Sequence, residues 1–365
     1  MGAIYSERAT LTVNSCHISD NSTGGIFSDG SIELIDSLVT SSGGIGNYGV
    51  MSITRSKISR NHGTGIINNG TLSVTDSMIR QNRGEFGGGI QNGGGAATAT
   101  LSNTVISHNV AELAGGGIHN TAGATLTLIN STVKNNSGGY GGIETDFTVP
   151  NRSSSVTIIN STISNNAGSG IFTNAQEGCL ILTITNSTVS SNSGYGIHNH
   201  GIGNGIALLR LMNSTVSNNS SPGSAPGGLQ NISIFDGIAT AEISNTIFSG
   251  NHGGSIGNGD VDGTIGSRAT IISHGYNLSS DAAGGYLNRP GDIINTNPRL
   301  GPLRNNGGPT KTHALLAGSP AINAGDPNFN IFAFDPPMRF DQRGLPFRRI
   351  VNGRIDIGAI ESRRP

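Results

Sequence analysis

Short segments in which apolar and polar residues strictly alternate recur along the chain. Leu72-Ser73-Val74-Thr75-Asp76, Leu126-Thr127-Leu128-Ile129-Asn130 and Leu182-Thr183-Ile184-Thr185-Asn186 are three of them. Alternation of β-branched and polar residues with a period of two marks a strand with one buried face. A second extended stretch, Asn-Ser-Thr-Val/Ile followed by a Ser- and Asn-rich bend, comes directly after each. A third, Gly-Gly-Gly-Ile-x-Asn, occupies 87–92, 115–120 and, more loosely, 194–199. No segment has the length or phase of a helix.

The second stretch is the clearest repeat. It starts at Asn130, Asn160, Asn186 and Asn213, with weaker copies at Ser15, Asp36, Arg55, Asp76, Asn103 and Asn245 and a degenerate one around His274. Successive starts, clear and weak together, are 19 to 32 residues apart. A unit of that size cannot bury its own apolar face and must stack on its neighbours, so the pattern predicts a solenoid. Three short strands per turn define an all-β, right-handed, single-stranded parallel β-helix of about ten or eleven coils. At ~4.8 Å per coil the rod is roughly 50 Å long. Stacking then predicts two inward amide ladders, one at Asn109, Asn136, Asn166, Asn192, Asn219 and Asn251, the other at Asn68, Asn92, Asn120, Asn199, Asn231 and Asn258. Sequons such as Asn130-Ser131-Thr132 arise from the repeat and are read as inward ladder positions rather than glycosylation sites. The opening Gly2-Ala3-Ile4-Tyr5-Ser6 matches the second half of a unit, so the chain is expected to begin in mid-array, without a signal peptide of its own.

Composition narrows the function classes. The 57 glycines have no Gly-X-Y period and sit between alternating strands, which makes them turn and close-packing positions rather than collagen or disorder. A formal net charge of −1 with no basic stripe excludes a nucleic-acid footprint. No run is long and apolar enough to span a membrane as a helix. Cys16 and Cys179 lie six to seven repeats apart, on the order of 30 Å, so two free thiols are predicted. A monomer is expected.

The repeat phrase stops near residue 290, which divides the chain into a repeat domain (1–290) and a C-terminal module (291–365). The module is expected to be a non-repeating cap over the open end of the solenoid, because exposed strand edges need cover. Asp341 with Arg343, and Asp356 with Arg354, are candidate ion pairs within it. The stretches Gly301-Pro302-Leu303-Arg304-Asn305-Asn306-Gly307-Gly308-Pro309, Gly318-Ser319-Pro320-Ala321-Ile322-Asn323-Ala324-Gly325-Asp326, Asp341-Gln342-Arg343-Gly344 and Arg354-Ile355-Asp356-Ile357-Gly358-Ala359-Ile360-Glu361 resemble the C-terminal module of bacterial choice-of-anchor Q proteins. The Gly-Gly-Gly-Ile units are also similar, less closely, to polymorphic outer-membrane protein repeats. The first resemblance implies an exported or cell-surface bacterial protein and no assigned catalytic residues.

Candidate chemistry sits where the repeat breaks. Insertions fall after the Gly-Gly-Ile-x-Asn segment, at 145–155, 174–179, 199–207, 231–240 and 257–268, and insertions at one phase of a solenoid collect on one side as a ledge. Beside it the residues Gln91, His119, Glu144, Phe172, His198 and Gln230 form an outward column, read as a candidate ligand-binding strip. His119 and Glu144 on adjacent coils are a candidate acid–base pair, with Asp146 and Glu177 as further carboxylates and Arg152 as a candidate lyase base. Asp260 and Asp262, at alternate positions, are weak candidates for Ca²⁺ ligands; no other cofactor is indicated.

Three functions are compatible with this pattern. The first is an adhesive, structural or glycan-contacting surface protein without enzymatic activity. The second is a polysaccharide lyase or glycoside hydrolase of pectate-lyase-like β-helix fold, working in the ledge groove. The absence of Trp and an aromatic content of 5% weigh against a sugar groove. The third is an ice-binding solenoid, suggested by Thr132, Thr162, Thr188 and Thr215 in one column, although the same phase elsewhere holds His17, Leu38, Lys57, Met78, Val105 and Ile247.

Overall fold

A computed structural model describes residues 3–121, 123–147, 152–260 and 268–362. Three parallel sheets of eleven strands each wind around one core. The first sheet starts at Ile4–Ser6 and ends at Ile256–Asp260, the second runs from Thr10–Asn14 to Ala269–Ser273, and the third from His17–Ser19 to Leu278–Ser279. Every strand pairs in register with its equivalents one coil away, as in Ile90↔Ile118 and Val133↔Ile163. The apolar residue of each strand points inward, so Ile118, Leu126, Leu128 and Val133 of one coil are fully buried together.

The tight corners of the tube bury backbone that only side chains can satisfy. Asn61, Asn82, Asn109, Asn136, Asn166, Asn192, Asn219 and Asn251 pass amide hydrogen bonds from coil to coil at 2.8 to 3.1 Å. The second amide ladder runs Asn47, Asn68, Asn92, Asn120 and again Asn199, Asn231, Asn258, with links of 2.6 to 2.8 Å. Thr145 and Thr173 replace the amide on the two coils between.

The Asn-Ser-Thr sequons of the repeat are not inward ladder positions, although Asn186 Nδ2 donates to Asn160 Oδ1 at 2.7 Å between neighbouring bends. Asn130, Asn160, Asn186 and Asn213 hold the bend between the second and third sheets with φ near +50° (49, 51, 54 and 50). Asn tolerates that left-handed backbone better than most residues. The inward group is the next residue: the Ser131 N–H donates to Ser161 Oγ, and the Ser161 N–H to Ser187 Oγ, at 3.0 and 3.1 Å. Cys16 and Cys179 are free thiols.

The inserted residues mostly prolong strands. First-sheet strands grow from three residues (Ile118–Asn120) to six (Ile197–Ile202), and second-sheet strands from five (Thr125–Ile129) to seven (Cys179–Thr185). The result is a raised corner whose thin interior is filled by Ala175, Ala207 and Ala239, all fully buried. At Gly201 a Cβ would stand 2.3 Å from the Ile238 carbonyl, so this close approach requires glycine.

The C-terminal residues do not form the expected end cap. The end of the core is closed earlier, by Ala283 and Leu287, which pack into the main apolar cluster. Beyond Ser279 the chain turns back and lies along the outer face of the third sheet. Thr162 Oγ1 donates to the Lys311 carbonyl, Thr188 Oγ1 to Gln342 Oε1 at 2.6 Å, and the Ala359 N–H donates to Thr215 Oγ1 at 3.2 Å. One coil further on, the same column holds Ile247, and there the cover is Ala321 and Ile357. An ice-binding face is therefore overturned: Thr162, Thr188 and Thr215 lie beneath protein rather than against water.

A buried charge network holds this segment together. Arg343 Nε donates to Asp341 Oδ1 at 3.1 Å, as expected from sequence. Arg354 does not pair with Asp356; it donates to the Gly325 and Ala324 carbonyls. Arg349, with no exposed surface, donates to the Gly358 and Asp356 carbonyls at 2.8 and 3.2 Å and lies 3.5 Å from Glu361 Oε1. Asp341, Asp356 and Glu361 outnumber the two guanidiniums, and burial pushes the Glu361 carboxyl up to about 9.

Candidate functional site

The outward column of the first sheet is built by register alone. Gln91, His119, Glu144, Phe172, His198 and Gln230 are direct partners on six consecutive strands. Because the later strands are longer, a second outward column stands beside it, pairing Asp146, Asn174 and His200. Asp146, expected within the 145–155 insertion, is a strand residue two positions from Glu144, and its side chain therefore shares Glu144's face.

This strip is largely hidden, contrary to the expectation of a solvated column. His119, Glu144 and Phe172 are 4%, 5% and 4% exposed. The cover comes from the turns that enter the first sheet. Phe86 stacks on the His119 imidazole with centroids 5.8 Å apart, Tyr140 lies on Phe172 at 3.9 Å, and Tyr195 leans over His198 at 4.5 Å. These rings were missed in the sequence; the available signal was that each directly precedes or falls within a Gly-rich turn entering a column strand. Gly115 lets its turn close over the site, since a Cβ there would meet Glu144 Cβ and N at 2.9 Å.

The structure brings together His119, Glu144 and Asp146. One ligand-type atom from each lies within 4.8 Å of the others. His119 Nε2 donates to Asp146 Oδ1 at 3.1 Å. Burial tends to raise the Asp146 carboxyl, but the His119 and Thr121 hydrogen bonds outweigh it and hold it below its ordinary range. Glu144 behaves oppositely: burial pushes it up to about 7, only partly offset by His119 and by the Gly115 N–H. Its Oε2 is buried without a hydrogen-bonding partner.

The remaining candidates stay outside this cluster. Glu177 is exposed in the turn between Ile171–Ala175 and Cys179–Thr185. Arg152 Nη1 donates to the Gly95 carbonyl at 2.6 Å, across the raised corner. Asp260 ends its strand half-buried, and Asp262 lies outside the described residues. Further along the strip, His198 and His200 stack at 5.2 Å, and burial lowers them to about 3 and 4. His198 Nε2 and both His200 ring nitrogens have no hydrogen-bonding partner.

Toward the N-terminal coils the same column becomes aromatic and open. Tyr5 and Phe27 are register partners with rings 5.4 Å apart, and Tyr48 joins Phe27 at 5.0 Å. Tyr5 and Tyr48 are 54% and 50% exposed. With Thr23 and Ile67 they line a groove of about 340 Å³. The low overall aromatic content thus conceals a local concentration.

The sequence profile described as the right-handed beta helix region matches residues 43–221. Among solved structures, the crystal structure of pectate lyase Pel9A aligns with a TM-score of 0.48 and 13% sequence identity, over 98% of this chain and 87% of that chain. No curated protein matches the sequence. The fold is a right-handed parallel β-helix, with all three sheets parallel throughout.

Proposed function

We propose that this chain is an exported or cell-surface β-helix protein that contacts glycans along the outer face of its first sheet, without turning them over. The observation that carries this reading is the ring set around its groove, in which exposed Tyr5 and Tyr48 flank half-buried Phe27. Flat aromatic faces bury the apolar face of a sugar ring, while turn backbone at the groove edge supplies hydrogen bonds. The resemblance to choice-of-anchor Q proteins supports surface display. A polysaccharide-cleaving reading needs carboxylates and a base converging on open space. Glu144 and Asp146 converge with His119, but His119 and Glu144 are buried beneath Phe86 and the Gly115 turn, and neither Glu177 nor Arg152 joins them.

A glycan array with wild type and the Tyr5→Ala/Tyr48→Ala double variant tests the proposal, alongside a reducing-sugar assay. Binding without product, lost in the double variant, is the expected result. Product release that disappears in Glu144→Gln would establish the enzyme reading instead. Binding that survives the double variant would place the contact elsewhere.

A further inference from the structure

We propose that His119, Glu144 and Asp146 form a binding site for a divalent transition-metal cation of the Zn²⁺ type. This is separate from the glycan contact, which lies several coils away on the same face.

The donor set is the first argument. One imidazole and two carboxylates suit Zn²⁺, Mn²⁺ or Co²⁺, whereas Ca²⁺ and Mg²⁺ prefer all-oxygen shells. Geometry is the second. A cation bound at ~2.1 Å to two neighbouring ligands holds them roughly 3.0–3.4 Å apart. His119 Nε2 and Asp146 Oδ1 are already 3.1 Å apart, so the cation takes the place of the proton they share. The widest separation in the cluster is within 4.8 Å, and a side-chain movement of at most about 1.5 Å at Glu144 closes it.

The third argument is independent of the cluster's composition. Glu144 is 5% exposed and its Oε2 has no partner, an arrangement that burial makes costly for a charged or a neutral carboxyl. A dication satisfies that oxygen and balances the two carboxylates at once. The surroundings are those of a ligand shell: the Gly115 N–H reaches Glu144, the Thr121 side chain reaches Asp146, and Phe86 packs on the imidazole and fixes its plane. Strand geometry also explains the site's position. Only from Ile143–Phe147 onward are first-sheet strands long enough to present two outward residues, so Glu144 and Asp146 both face the histidine of the shorter strand below.

The test is titration of chelator-treated protein with Zn²⁺ and with Co²⁺, by calorimetry and by the Co²⁺ ligand-field spectrum. One equivalent is expected to bind, with an imidazole- and carboxylate-type spectrum and little competition from millimolar Ca²⁺. Glu144→Gln and Asp146→Asn are each expected to weaken binding about 100-fold, and Glu177→Gln to leave it unchanged. Circular dichroism confirms folding of each variant. Asp146, the most accessible of the three, provides the variant least apt to disturb packing. Absence of stoichiometric binding, displacement by Ca²⁺, or binding that survives Asp146→Asn and Glu144→Gln would each overturn the proposal; the last outcome would direct attention to His198 and His200.

Discussion

The outer faces of the first and third sheets carry columns that are polar in sequence and mostly hidden in the structure, yet they are hidden in different ways. On the third sheet the C-terminal segment covers Thr162, Thr188 and Thr215 and satisfies each hydroxyl. Where the column changes to Ile247, the cover changes to Ala321 and Ile357. On the first sheet, rings pack on His119, His198 and His200 and the Gly115 turn closes over Glu144, which leaves ring nitrogens and a carboxylate oxygen unmatched. Burial in which nearly every group is paired is how a protein builds an interface within itself, and in this cover Arg349 Nε is an exception. Burial without such pairing costs stability, and that cost is retained where the groups meet something else.

The strongest way to break this contrast is to attack the network that anchors the C-terminal segment. Arg349→Ala leaves Asp356 and Glu361 buried beside a void, and is expected to lower stability by about 3–5 kcal/mol in denaturant titration. A cost below about 1 kcal/mol would mean that the segment is only loosely attached.

Acidification acts on the other face. His198 and His200 are held neutral in the fold, with values near 3 and 4, while in the unfolded chain they protonate below about 6.5. The unfolded state then binds more protons, so their contribution is present above pH 6.5 and is lost as pH falls toward 3–4. The groups facing them are Phe172, Asn174, Tyr195 and Gln230, none of which supplies a compensating negative charge. The contribution of these two residues is expected to fall on the order of 3 kcal/mol between pH 7 and pH 5, while Glu144 and Glu361, whose carboxyls are raised in the fold, contribute in the opposite direction. On acidification the His198→Gln/His200→Gln variant is expected to gain stability relative to wild type by about that amount, and equal slopes would remove these residues from the explanation.

A smaller effect sharpens the comparison within one column. Thr188→Val keeps shape but leaves Gln342 Oε1 without its donor, which is expected to cost about 1–2 kcal/mol. Thr132→Val, at a half-buried position on the margin of the covered region, is expected to change stability by less than about 0.5 kcal/mol. Equal effects at both positions would show that the intrinsic preference of the strand, rather than the cover, is being measured.

Much of the scaffold was legible in the sequence. The three strands per coil, the coil number and both Asn ladders follow from local repetition, because each coil sets the register of the next. The same register put Gln91, His119, Glu144, Phe172, His198 and Gln230 in one column. The sequon misreading shows the limit: Asn130 and its equivalents look like ladder residues in a repeat, but the residue that points inward is the serine beside them. Only backbone handedness at the bend separates the two.

What tertiary structure alone decided is the fate of outward positions. An alternating strand states which residues leave the core; it does not state whether water or protein meets them outside. For Thr188 the answer came from Gln342, 154 residues later. For Glu144 it came from the turn at Gly115 and from Asp146, whose shared face depends on how far a strand is prolonged. Inward packing repeats with every coil and so is written locally, whereas cover arrives once, from distant segments, and carries no period for a sequence to display.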